Sequence, residues 1–314
     1  MSKNADKNHR WAVVLAGGDG RRLQQLSRRI AGDSRPKQFC PFFGEKTLLA
    51  QTCERIAPLF SQDQTILILN QMHQKFYREQ LAGVNDRRKV IQPLNRGTAV
   101  AMALCLEIVA REDNDALVAF FPSDHYFLHD SAFRDNMEYG LRAMEEYPQS
   151  ILLLGAEARY PEVEYGWIQP GRTLEDSPDH LLQRVTRFWE KPTRQVAEIL
   201  RRHGCMWNTF VTVGLAGAFL ELLGATLPHL TKSLERCLES GQLDQFYDNT
   251  EPVDFSSAVL SRVPERLVVL RDEKSGWMDL GSPHRVIEAV THSGLQPPWL
   301  FSDRGRAATA RGVA

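Results

Sequence analysis

The chain has no apolar run near the ~20 residues that a bilayer span requires, so a helical membrane segment is not expected. It has no C-x-x-C spacing. Its five cysteines, Cys40, Cys53, Cys105, Cys205 and Cys237, are odd in number and scattered, which gives neither a disulfide framework nor a zinc site. They read as buried free thiols in a reducing compartment. It also lacks an excess of either charge: with a formal net charge of -1 it does not carry the basic surplus of nucleic-acid-binding domains. Internal repeats are absent, and the first compositional bias is a Pro- then Arg-rich tail from about Pro297, expected to be frayed. The N-terminal stretch is polar, and the apolar run after it is too short for a signal segment. The expectation is a cytoplasmic protein with neither a nucleic-acid nor a membrane partner.

What is present is the alternation of an α/β protein. Buried-strand candidates at Trp11–Ala16, Thr65–Leu69, Lys89–Gln92, Ala116–Phe121 and Ile151–Ala156 alternate with helical stripes such as Val100, Ala103, Leu104, Ile108 and Phe133, Met137, Leu141, Met144. That pattern predicts a mixed, mostly parallel central sheet with helices on both faces. Later strands are expected at Tyr165–Gln169, Arg184–Trp189, Trp207–Val213 and Arg266–Arg271, with helices at Thr193–Arg202 and Pro283–Thr291. No Gly/Ser linker divides the 314 residues. A single domain over 9–295 is expected, with a first part to about 157, a second part over 158–295 and a flexible tail over 296–314.

The most informative stretch runs from Val13 to Phe39. A β-branched strand feeds Gly17, Gly18 and Gly20, followed by Arg21, Arg22, Arg28, Arg35 and Lys37. Glycines leave amides open to an anion, and the cations supply counter-charge. A P-loop is excluded because no Lys-Ser/Thr closes the loop. A dinucleotide fingerprint is excluded because Leu23 stands where its third glycine belongs. An ordinary glycine turn with solvated arginines is the bland alternative. Two acidic turns lie far apart, Pro122-Ser123-Asp124-His125 and Trp277-Met278-Asp279-Leu280-Gly281. Asp124 follows a strand expected to be central, where open α/β sheets bind ligands; it suits Mg²⁺ held against phosphates or, equally, a capping role. The segment Gln92-Pro93-Leu94-Asn95-Arg96-Gly97-Thr98-Ala99 opens a helix and offers amide donors and acceptors to a base edge, though it is also a good N-cap sequence.

The loop L-A-G-G-D-G-R-R-L followed by P-K-Q-F resembles the sugar-1-phosphate nucleotidyltransferases, and within them the mannose-1-phosphate guanylyltransferases. Further matches follow in the family's order: Gln92–Ala99, Pro122–His125, Tyr165-Gly166-Trp167-Ile168, Glu190-Lys191-Pro192, Trp207-Asn208 and Trp277–Gly281. The resemblance covers nearly the whole chain and implies a Rossmann-like, GT-A type nucleotidyltransferase fold. It further implies that Leu15, Ala16, Gly17, Gly18, Gly20, Gln92, Asn95, Gly97 and Thr98 bind the nucleotide. Gly166, Glu190, Lys191 and Asn208 would meet the sugar phosphate. Arg22, Lys37 and Asp124 would be catalytic, and Asp124 with Asp279 would hold Mg²⁺. His125 reads as a packed residue beside the metal carboxylates.

Four positions depart from the family pattern: Gln24-Gln25, Ser123, Thr209-Phe210 and Pro283. Thr209-Phe210, where the family has Ser-Gly, puts the sugar's identity in doubt. The fused isomerase domain of longer members has no counterpart here, so the resemblance implies only the transferase step: GTP and mannose 1-phosphate giving GDP-mannose and pyrophosphate, without a covalent intermediate. Another sugar 1-phosphate (glucose or heptose) with another nucleotide remains open, as does a nucleotide-sugar sensor without turnover. A homodimer is left open.

Overall fold

Residues in β1 (Arg10–Leu15) alternate between two buried faces: Trp11 and Val13 enter one core cluster, Ala12 and Val14 another. A strand buried on both sides must be covered on both sides, and the chain supplies the cover. Helices Thr98–Glu112 and Ala216–Thr226 pack on the first face. Helices Leu48–Ile56 and Asp130–Glu146 pack on the second. The computed structural model describes residues 9–174 and 182–301.

The other strands are β2 (Thr65–Asn70), β3 (Lys89–Gln92), β4 (Leu117–Pro122), β5 (His125–Phe127), β6 (Ile151–Glu157), β7 (Gly166–Thr173), β8 (Leu182–Glu190), β9 (Met206–Leu215), β10 (Leu267–Asp272) and β11 (Trp277–Asp279). Nine form one sheet in the order β3-β2-β1-β4-β9-β6-β10-β8-β7, and β5 and β11 form a separate ribbon. The sheet is mixed, as expected, with seven of its nine strands running one way and β8 and β9 opposed: β3, β2, β1 and β4 are mutually parallel, and β6–β10 is parallel. The pairings β4–β9, β6–β9, β8–β10, β7–β8 and β7–β9 are antiparallel. Periodicity cannot tell the two apart, because strands sandwiched between helices read as continuous apolar runs in either direction.

Chain order reverses about β1, with β2 and β3 on one side and β4 on the other, so a crevice opens at the carboxyl ends of β1 and β4. A third core cluster is built from Leu23, Leu26, Phe42, Tyr126, Leu280 and Val286, among others. Trp299 joins that cluster at 8% exposure, and its Nε1 donates to the Phe42 carbonyl at 2.9 Å. The expectation of a flexible tail is therefore corrected for Pro298–Phe301, which forms a docked helical turn; residues 302–314 lie outside the described residues. Among the described residues, no helix is long and apolar enough to cross a membrane.

Candidate active site

The crevice is a cleft of about 450 Å³ lined by the glycine loop, the ends of β3 and β4, the turn before β7, and residues of β8 and β9. Why the loop holds its shape is visible in P-K-Q. Gln38 is buried, and its Nε2 donates to the carbonyls of Ala16 at 3.0 Å and Gly18 at 2.8 Å. Lys37 and Pro36 pack so close beneath Gly20 that a Cβ there would lie 2.7 Å from the Lys37 amide, and Gly20 has φ +59°. Ser123, one of the departures from the family pattern, donates its hydroxyl to the Leu15 carbonyl at 2.7 Å, tying the β4 turn to the loop. That substitution is structurally supported.

The two acidic turns meet through the β5–β11 ribbon, which sets Asp279 opposite His125 and so next to Asp124. Lys37 Nζ sits between them, 3.2 Å from Asp124 Oδ2 and 3.1 Å from Asp279 Oδ1. Burial works against the Lys37 charge, but both carboxylates outweigh it and raise its pKa. Burial likewise pushes the Asp279 carboxyl up, yet Lys37, His125 and Arg285 bring it down to about 2. His125 accepts from Trp277 Nε1 at 3.2 Å through Nδ1, and its Nε2 lies 3.8 Å and 3.7 Å from the two aspartates. Burial lowers its pKa more than the aspartates raise it, so a neutral His125 turns its Nε2–H to the carboxylates.

Of the expected nucleotide residues, Leu15, Gly17, Gly18, Gln92, Asn95, Gly97 and Thr98 line the cleft. Ala16 and Gly20 do not: Ala16 is buried in the core, with its amide on the Ile68 carbonyl at 2.9 Å. Lys37 reaches the cleft only through its aspartates. Arg22 lines the mouth and pairs with Glu164 at 2.8 Å. With side chains 64% and 48% exposed, that pair is worth under about 1 kcal/mol and would yield readily to a phosphate.

Toward β7 and β9 lie Gly166, Glu190, Lys191 and Asn208, all on the cleft wall. A Cβ on Gly166 would come within 3.0 Å of Glu190 Oε2. A bulge in β9 places Thr209, Phe210 and Val211 opposite Leu154 of β6. Thr209 fills it by donating to the Leu154 carbonyl at 2.7 Å, and Phe210 at φ 62° turns into the cleft lining. Asn208 Oδ1 accepts from the Phe210 amide at 3.1 Å.

Three participants carry no short motif that would have disclosed them. Arg285 donates to Asp279 Oδ2 at 3.2 Å, pairs with Glu162, and lies 4.7 Å over the Tyr165 ring. Asp254 lines the cleft, accepts from Thr98 at 3.2 Å, and with burial raises the pKa of Glu190. Tyr247 donates to Gln92 Oε1 at 3.1 Å. Burial raises all five thiols, Cys53 and Cys205 to about 11 and Cys40 to about 12; none is an activated nucleophile.

The family model for nucleotidyl transferase matches residues 11–294. The chain belongs to the nucleotidyl transferase family. Among curated relatives of this nucleotidyl transferase, mannose-1-phosphate guanylyltransferase of Klebsiella pneumoniae is 29% identical over 86% of the chain and 58% of its own length. Alginate biosynthesis protein AlgA of Pseudomonas putida is 31% identical over 86% of the chain and 56% of its own length. The chain thus spans under three fifths of the length of these two relatives. A crystal structure described as mannose-1-phosphate geranyltransferase from Thermus thermophilus superposes with a TM-score of 0.78 at 32% identity, covering 89% of this chain and 79% of that one. A UDP-glucose pyrophosphorylase bound to UDP-glucose, 16% identical with a TM-score of 0.59 over 90% of this chain and 97% of that one, shares the fold.

Proposed function

We propose that the chain transfers a guanylyl group from GTP to mannose 1-phosphate, releasing pyrophosphate. The observation that carries this reading is the convergence of Asp124 and Asp279 on Lys37 at the junction of the glycine loop and the sugar-side strands. Two carboxylates aimed at one cation also suit Mg²⁺, which takes one or two protein carboxylates and completes its shell with phosphates and water. Asp124 and Asp279 would hold it there, and its charge would neutralise the phosphate oxygens.

The rest is done by the chain's own groups. The amides of Gly17 and Gly18, with Arg22, cradle the triphosphate; Lys37, from between its aspartates, neutralises the reacting phosphates; Lys191 holds the sugar phosphate. The phosphate oxygen of the sugar forms a bond to the α-phosphorus, and the bond from that phosphorus to pyrophosphate breaks on the opposite side. The attacking oxygen is already anionic, so no general base is needed, and positioning with charge neutralisation supplies the rate. Glu190 accepts from sugar hydroxyls, and Asn208, its oxygen committed to Phe210, donates to them.

The test is pyrophosphate release from GTP and mannose 1-phosphate with Mg²⁺, beside other nucleotide and sugar 1-phosphate pairs. Release only with another pair would move the substrates; no release with any pair would sink the transferase reading. A second sugar is favoured by Phe210, which occupies the cleft lining where the family pattern has glycine.

A further inference from the structure

The amides at the β3 end of the cleft have their oxygens committed to the protein. Asn95 Oδ1 accepts from the Gly97 amide at 3.1 Å, and a backbone N–H can only donate. Gln92 is 2% exposed, and its Oε1 meets the hydroxyl of Tyr247, itself fully buried, at 3.1 Å. That hydroxyl has no other hydrogen-bond partner among the described residues, so its proton goes to Gln92. Gln92 Nε2 has none among the described residues, and it lies 2.7 Å from where a Cβ on Gly17 would stand. It is a donor at the edge of the glycine loop, in the lining of the cleft.

The sheet order places this donor on one side of the loop and the sugar-side residues on the other: β3 carries Gln92, β1 leads into the loop, and β9 carries Asn208. A triphosphate over the loop with its sugar acceptor toward β9 leaves its base toward β3. We propose that Tyr247 is a positioning residue for base selection: by holding Gln92 Oε1 it turns Nε2 to the cleft, so the site takes bases with an exocyclic carbonyl and disfavours those with an amino group there. This rests on the nucleotide-binding reading above. The chemistry is a matching of donors and acceptors. A carbonyl at guanine C6 or uracil C4 accepts from Gln92, whereas an adenine or cytosine amino group faces it donor to donor, and both groups lose their water unpaired.

The test is competition of GTP, ITP, ATP, UTP and CTP against a fluorescent GTP analogue, with Mg²⁺ and without sugar phosphate, on the whole chain. GTP and ITP, which share the 6-carbonyl, are expected within about threefold of each other, and ATP about tenfold or more weaker. UTP should likewise exceed CTP. Tyr247→Phe frees the amide to flip, and both ratios should shrink to within about threefold. A merely structural loss would weaken all nucleotides alike and keep the ratios. Unchanged ratios in a folded Tyr247→Phe protein, or equal binding of carbonyl and amino bases by the wild type, would overturn the inference and leave the nucleotide site standing. If no nucleotide binds the wild type, the nucleotide-binding reading falls, and the inference with it. Should Tyr247→Phe fail to fold, Gln92→Glu replaces the donor with an acceptor and is expected to reverse the GTP/ATP ranking; a retained ranking would overturn the proposal.

Discussion

The two ends of the cleft are made differently. At the loop end, parallel strands β3, β2, β1 and β4 carry the site residues directly at their tips, and left-handed backbone falls on Gly20 and Gly97. At the other end, antiparallel β7, β8 and β9 carry them on a bulge and a turn, and left-handed backbone falls on Phe210 and Lys191. Those two are the only non-glycine residues with positive φ among the described residues. Each such residue costs about 1–2 kcal/mol, which the fold sustains only where the surroundings over-determine the geometry. The charges differ as well: Arg22 at the loop end, and Glu190 and Asp254 with Lys191 at the other. On the proposed reading, the loop end would hold phosphate without strain on any side-chain-bearing residue. The far end accepts strain to aim side chains, and substrate choice is expected to be tunable there.

Between the ends stands the Lys37 cluster, and its loss should collapse the comparison altogether. Lys37→Met leaves two facing carboxylates unneutralised, and turnover is expected to fall about 10²- to 10³-fold. Activity within about tenfold of wild type, or about 1.4 kcal/mol of barrier, would remove Lys37 from the reaction. The same variant bears on acid stability. Asp279 is held near pH 2, below its ordinary 3.8, so its pairing stabilises the fold above about pH 4 and is lost as pH falls toward 2. In Lys37→Met that acid-dependent loss should be smaller, which urea unfolding between pH 5 and pH 3, extended downward as far as solubility permits, would read.

Arg285 tests whether support behind the carboxylates matters as much as the carboxylates themselves. Arg285→Ala releases Asp279 Oδ2 and takes the cation from Glu162, which keeps the Val163 and Glu164 amides; partners of this kind typically alter metal affinity or activity about 10- to 100-fold. Mn²⁺ titration should weaken, with Arg285→Lys recovering part of the loss. Unaltered Mn²⁺ affinity would reduce Arg285 to a packing residue.

How far this was legible in the sequence also divides by end. The glycine loop, the P-K-Q turn and the strands around them are local, and the periodicity that marks them comes from burial on two faces. P-K-Q carried its reason in Gln38, yet only Lys37 had been singled out, because a buried glutamine has no spacing signature. The meeting of Asp124 with Asp279 is a long-range strand pairing between β5 and β11 that no period discloses; family resemblance pointed to it, and the ribbon is how the fold brings it about. Arg285, Asp254 and Tyr247 act through contacts across the fold. The directions of β8 and β9, which make the sheet mixed, were hidden because burial looks the same for either strand direction.

Glu190 offers a subtler probe of the far end. Burial first, and Asp254 second, raise its pKa above the usual 4.5, with Lys191 opposing. If the ionised form accepts sugar hydroxyls, KM for the sugar 1-phosphate should rise as pH falls through that raised value. Asp254→Asn removes the smaller of the two causes, so the inflection should move to lower pH by a fraction of a unit. Comparing variant with wild type cancels the substrate's own phosphate titration. An inflection that stays put would separate Asp254 from Glu190.

The smallest effect on stability, and the sharpest on selectivity, is expected at Phe210. Replacing it with glycine removes the left-handed strain of about 1–2 kcal/mol, loses the entropy that glycine gives up on folding, about 0.5–1 kcal/mol, and loses the ring's edge contact with Phe255 at 6.4 Å. These terms oppose one another, and the ring also leaves its packing on the first core cluster, so Tm is expected to fall by a few degrees. The ring's place in the cleft lining is vacated all the same. Phe210→Gly should change the ratio of kcat/KM for mannose 1-phosphate over glucose 1-phosphate by about threefold or more, while KM for GTP stays within about twofold, because Gln92, Asn95 and the glycine loop lie at the other end. A ratio that holds while KM for GTP shifts would mean that the two ends are coupled through Phe210, and the division of labour drawn from their backbones would have to be abandoned.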